Sequence, residues 1–424
     1  MYKKTVLENG VRIVSERVDH LKSLSLGIWV DAGSRDEGPG NNGISHFIEH
    51  MIFKGTTQRT SLEIAKEFDA IGGLSNAFTG KESTCFHARV LGKHFHALSD
   101  ILSDIFLNSV FDSEEMEKER QVILQEISMV EDTPEESIHV LFTSLFWMDH
   151  PLGMPILGTQ ETVESITRNN ILEYMKSHYK PHRILIVAAG DIDHDQLVEF
   201  FAPRFEVLDG SPQCLCRQPP SSNPGLLCVE KDLEQVHICL GGEAPSLQDP
   251  RRFSTAIFNT ILGGNMSSRL FQEIREKRGL AYTVYSFLSA YIDTGLLGIY
   301  VATDPSRVIP VLETIYLEVS KILRGEIGEA DLEAAKEHLI GGLYLNADST
   351  DSRMMRVAKN EMIFGRYISC EELAQGLERV SVEDVVEAAN SIFQDGKVSI
   401  ATLGPVSSEV IGNCQPYFKT GLRV

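Results

Sequence analysis

Two stretches near the N-terminus alternate apolar and polar positions: Gly10-Val11-Arg12-Ile13-Val14-Ser15 and Ser23-Leu24-Ser25-Leu26-Gly27-Ile28-Trp29-Val30. A period of two predicts half-buried strands. The period then lengthens to that of a helix at about 43–54, 61–71, 93–109 and 113–131. The last of these opens on Asp112-Ser113-Glu114-Glu115, an N-cap followed by acids in the first turn. Ile184-Leu185-Ile186-Val187-Ala188-Ala189 is a continuous apolar run. It is far short of a membrane span of about 20 residues and predicts one fully buried strand. In the second half, Val236-His237-Ile238-Cys239-Leu240-Gly241 predicts a strand in the place that 25–31 holds in the first. A helix at about 250–262 follows it, as helices follow the early strands. The recurrence implies two copies of one α+β unit.

Between the halves the pattern stops. From Asp209 to Gly225 the chain has four prolines, three serines and two glycines and no amphipathic period. This reads as a linker and divides the chain into a domain at 1–212, a linker at 213–225 and a domain at 226–424. The 424 residues suffice for two or three domains of ordinary size. The net charge is −21, and residues 1–220 hold 20 basic and 33 acidic side chains. That balance argues against nucleic acid and against anionic membrane as partners. The start, Met1 to Gly10, has no apolar stretch after Lys3 and Lys4, which points to a cytoplasmic protein. Seven cysteines, an odd number without a CxxC pair, read as reduced thiols. Cys214-Leu215-Cys216 offers two soft ligands and no third.

The strongest chemical signal is His46-Phe47-Ile48-Glu49-His50. On a helix, His46 and His50 are four residues apart and share a face, with Glu49 on nearly the same side. Two neutral imidazoles beside a carboxylate suit a catalytic zinc ion that keeps one position open. The order H-x-x-E-H is the inverted zincin arrangement. A third ligand must come from another rigid element. The 113–131 helix offers Glu119 and Glu126, two turns apart and flanking an apolar stretch, where a half-buried acid needs a partner. His94-Phe95-His96 could place two imidazoles on one face of a strand but has no third ligand nearby. Neither a phosphate-binding G-x-x-x-x-G-K-[ST] nor a G-x-S-x-G elbow is present.

These residues resemble the pitrilysin, insulinase and processing-peptidase family of inverted zincins, most closely its bacterial members related to the catalytic subunit of mitochondrial processing peptidase. The likeness extends along Ala32–Glu37, Gly43–Met51, Phe53–Thr56, Gly72–Thr79, Glu119–Ile127, Leu262–Phe271 and Arg275–Tyr282. It implies an α+β fold of two similar domains, each a mainly antiparallel sheet with helices packed on it, forming a clamshell. It implies one Zn2+ per chain held by His46, His50 and Glu126, with Glu49 as general base and Glu119 steadying a ligand. It gives Arg275 and Tyr282 to the substrate. It also makes the segment at Asn76 and Ala77 an edge strand beside which a peptide adds. The implied activity is that of a zinc metalloendopeptidase acting on unfolded peptides or presequence-like segments, and the excess of acid in the first half suits basic ones. The alternative is a non-catalytic structural or activating subunit of a peptidase or respiratory complex. Larger relatives join four such domains, so pairing as a homodimer, or as a heterodimer with a related subunit, is expected.

Overall fold

The computed structural model describes residues 1–210, 217–393 and 397–410. Cys214, Cys216 and most of the first part of the linker lie outside the described residues. The chain forms two compact units, one of residues 1–129, 154–217 and 345–368, the other of 130–153, 218–344 and 369–424.

The first unit is built on strands β1 (Tyr2–Val6), β2 (Arg12–Arg17), β3 (Ser23–Val30), β4 (Leu74–Thr79), β5 (Thr84–Leu91) and β6 (Ile184–Gly190) in the order β1-β2-β6-β3-β5-β4. The second has β7 (Leu226–Glu230), β8 (Val236–Ala244), β9 (Ala281–Ala290), β10 (Gly295–Thr303) and β11 (Ser399–Gly404) in the order β7-β11-β8-β10-β9. In each sheet a parallel pair, β2 with β6 and β7 with β11, is followed by three antiparallel pairings. Apart from the extra β1, the two sheets share one topology, which is the α+β repeat that the strand–helix recurrence predicted.

Alternation along the strands sorts each sheet into two buried faces. Leu24, Leu26, Ile28 and Val30 of β3, with Ile184, Ile186 and Ala188 of β6, enter the main core of the first unit. Trp29, Leu185, Val187 and Ala189 point the other way, onto Met354, Val357 and Ala358. Burial on both faces explains why 184–189 is an unbroken apolar run. In the second unit Ile238, Leu240, Leu297 and Ile299 enter the main core. Cys239, Leu296 and Tyr300 meet Ile138, Phe142 and Phe146 on the opposite face.

The helices covering those opposite faces are exchanged. Thr350–Phe364, which follows the linker, packs on the first sheet, and Pro134–Phe146, which precedes it, packs on the second. The compact units therefore differ from a single cut at 213–225 by the segments 130–153 and 345–368. Ion pairs stitch the first of these exchanges. Glu16 meets Arg353 at 2.9 Å and Arg356 at 3.1 Å, and the buried Glu361 meets Lys4 at 2.6 Å.

The other predicted elements settle within a few residues. Helices span Ile44–Met51, Ser61–Ala70, Phe95–Asn108, Ser113–Asp132 and Arg252–Gly263. Asp112 caps the fourth of these as expected, accepting from the backbone of Glu114 and Glu115. His94 and His96 are not on a strand. They sit where a short 3-10 turn, Gly92–His94, runs into the Phe95–Asn108 helix. Cys85, Cys228, Cys239 and Cys370 are free thiols. Among the described residues no helix is long and apolar enough to cross a membrane.

Candidate metal centre

The Ile44–Met51 helix carries His46, Glu49 and His50, and its start is held from outside the helix. Its N-cap residue, Gly43, has no side chain to cap it with. Gly43 takes a left-handed φ of 93°, and a Cβ there would lie 2.6 Å from the carbonyl of Leu157. Glu37 does the capping instead. Its carboxylate accepts from the backbone N–H of Gly43 at 2.7 Å and of Ser45 at 2.8 Å, and from the Asn42 amide at 2.9 Å. It thus satisfies donors that a helix start leaves orphaned and sets a negative charge on the positive end of the dipole. Burial pushes the Glu37 carboxyl up to about 7, and those hydrogen bonds oppose the rise. Ser45 is further tied through its hydroxyl to Tyr174, 2.9 Å away.

The structure brings His46, His50 and Glu126 together with one donor atom each, all within 4.8 Å of one another. Glu126 Oε2 lies 3.6 Å from His46 Nε2 and 3.6 Å from His50 Nε2. Those separations are too long for hydrogen bonds. They are close to the edge of a tetrahedron whose bonds are the roughly 2.0–2.2 Å of zinc to nitrogen and oxygen. An N2O donor set with that spacing fits zinc. Burial, with the neighbouring His50, pushes His46 down to about 4, so its imidazole is neutral at physiological pH and has a lone pair to give. Its Nδ1 is buried and has no hydrogen-bond partner among the described residues.

Glu119 stands one step back. Its Oε2 accepts from His50 Nδ1 at 3.0 Å, and its Oε1 meets Lys54 Nζ at 2.5 Å. A carboxylate can only accept, so Nδ1 carries the proton and Nε2 faces Glu126 with its lone pair. Glu49 accepts from the Thr79 hydroxyl at 2.6 Å. Burial raises the Glu49 carboxyl above the usual range, and the Thr79 bond works against it. Asn76 and Ala77 lie on β4, an edge strand whose outer side has no partner strand among the described residues. The Asn76 side chain accepts from the Ala77 N–H at 2.9 Å.

Arg275 and Tyr282 belong to the second unit. Arg275 leaves a π-helical turn, Phe271–Lys277, and its guanidinium lies 4.7 Å from the Phe271 ring centroid and 4.3 Å from that of Tyr282. Tyr282 is 74% exposed, so the stacked pair faces solvent within its unit. Sequence reasoning gave no separate role to Glu37, Lys54 or Thr79. Lys54 was the most accessible of these, being four residues beyond His50. Glu37 and Thr79 come close only through tertiary folding.

Two like α+β units, one of them bringing two histidines and a glutamate together as a candidate metal site, set the comparison with known proteins. Residues 12–160 match the family model described as insulinase, peptidase family M16, and residues 165–339 match that of the M16 inactive domain. The chain is 39% identical to an uncharacterized zinc protease of Bacillus subtilis, YmxG, over 96% of this chain and 98% of that one. It is 38% identical to an uncharacterized zinc protease of Mycobacterium leprae, over 96% and 92%. A protease from Helicobacter pylori shares the fold with a TM-score of 0.89 at 21% identity, over 96% of this chain and 99% of that one. A Pseudomonas fluorescens structure described as a peptidase M16 inactive domain does so with a TM-score of 0.89 at 19% identity, over 96% and 98%. The chain belongs to peptidase family M16, the insulinase family.

Proposed function

We propose that this chain is a zinc-dependent metalloendopeptidase that hydrolyses peptide bonds in unfolded or presequence-like peptides, with one zinc held by His46, His50 and Glu126. The observation that carries this reading is the convergence of three donor atoms from two helices, with Glu49 borne on the helix that carries both histidines. The zinc names of the relatives support it. Zinc held by His46, His50 and Glu126 would supply Lewis acidity, enough to acidify a water and polarise a carbonyl. Glu49 takes the proton of the attacking water and passes it to the leaving amine. Glu119 keeps His50 in the ligating tautomer. The open edge of β4 pairs with the peptide backbone near Asn76 and Ala77, which gives affinity with little sequence selectivity. Arg275 and Tyr282 bind substrate, and Tyr282 helps hold the developing oxyanion. The active form is a homodimer or a heterodimer with a related subunit.

The test is zinc content and cleavage of a quenched basic peptide, compared between wild type and His50→Ala. Loss of both in the variant is expected. A variant that keeps stoichiometric zinc refutes the ligand assignment, and peptide cleavage undiminished by His50→Ala refutes the zinc peptidase.

A further inference from the structure

We propose that Thr79 is a positioning residue that holds the Glu49 carboxylate toward the reacting water, an inference that rests on the peptidase reading above. A Thr hydroxyl has one proton to give. Here it lies 2.6 Å from Glu49 Oε2 and 3.4 Å from the carbonyl of Ser45, and the shorter contact is the hydrogen bond. Glu is a long side chain with several rotamers, and a base must hold one of them to act. Among the described residues, Thr79 ties Glu49 to a second element, chiefly through its hydroxyl at 2.6 Å and also through its backbone N–H.

Thr79 can serve as a fixed point because the chain around it is pinned. It closes β4 opposite Thr84 of β5. The turn beyond it is held by backbone bonds from Ser34 to Gly80 at 3.1 Å and from Arg35 to Lys81 at 2.7 Å. The Arg35–Glu82 ion pair at 2.6 Å adds a third tie. The segment that pins this turn leads directly to Glu37, which caps the metal helix. One loop therefore sets both the start of the helix bearing the base and the strand end bearing its hydrogen-bond donor. Thr79 is also the last residue of the edge strand proposed to receive the peptide, so substrate docking and orientation of the base share one piece of backbone.

The test uses Thr79→Val, which keeps the β-branched shape and removes the donor, and Thr79→Ser, which keeps the donor. In Thr79→Val, kcat falls about 10- to 100-fold with KM and zinc content unchanged, and Thr79→Ser recovers most of kcat. Crystal structures of wild type and Thr79→Val give the second readout. The Glu49 side chain leaves its wild-type rotamer in the valine variant while the helix backbone stays in place. The proposal is overturned if Glu49 keeps its rotamer in Thr79→Val or if kcat is unchanged. It is overturned equally if Thr79→Ser is as poor as Thr79→Val, or if the loss lies in KM and thermal stability. A wild type that binds zinc but cleaves no peptide refutes the peptidase reading alone, and the rotamer measurement then decides this one.

Discussion

Replacing Glu119 with glutamine removes one charge and reverses one hydrogen-bonding group at a position that is 9% exposed along its side chain. The native carboxylate serves two donors at once, His50 Nδ1 at 3.0 Å and Lys54 Nζ at 2.5 Å. A carboxamide can accept from one of them and must point its own N–H2 at the other. Either His50 loses the acceptor that sets its tautomer, or the Lys54 ammonium faces a donor. Loss of such a partner typically weakens metal binding 10- to 100-fold, which is about 1.4–2.8 kcal/mol. The zinc affinity of Glu119→Gln should fall by that factor in competition with a chromophoric chelator. Glu114→Gln, at an exposed site in the first turn of the same helix, controls for the loss of charge. Unchanged affinity in Glu119→Gln would refute the orienting role. Equal weakening in Glu114→Gln would assign the effect to the general field of the acidic helix.

Glu37→Ala leaves the backbone donors of Gly43 and Ser45 without their buried acceptor, at a cost of about 2–4 kcal/mol in urea unfolding. Because burial raises the folded Glu37 carboxyl from 4.5 to about 7, the folded state binds the extra proton in that window. This group's contribution to stability therefore declines as pH rises from about 4.5 to about 7, and the wild-type pH–stability slope should be less negative in Glu37→Gln. A slope that stays the same would show that Glu37 does not titrate there. Met354→Ala should destabilise the first unit by about 2–5 kcal/mol, because Met354 is fully buried against the outer face of its sheet. Hydrogen exchange should then speed up in β3 and β6, and exchange that speeds up only in the second sheet would contradict the helix exchange.

How much of this was legible in the sequence depends on the range of each interaction. Strand alternation, the apolar run at 184–189 and the Asp112 cap are local, and each follows from neighbours within a turn or two. The pairing of His46 with His50 is likewise a matter of helix period. Glu126 and Glu119 stood out as a two-turn pair, but that they face the histidines is tertiary, and before the structure only the family resemblance connected them. The exchange of Pro134–Phe146 and Thr350–Phe364 was invisible because composition marks the linker and not which sheet a helix covers. Glu37 looked like one acid among many. Its capping role depends on the left-handed turn at Gly43 that brings the helix start back to it. Thr79 gave no signal, since a threonine near a strand end is ordinary until the base is found beside it.

The most direct test of the central claim pairs bound zinc per chain with cleavage of a quenched basic peptide, for wild type and Glu49→Gln. Glu49 is not among the three converging donors, so one zinc is expected in both proteins and turnover in the wild type alone. Zinc in both with turnover in neither, across a varied peptide set, would point to a structural or activating subunit. Absence of zinc from the wild type would contradict the metal centre itself.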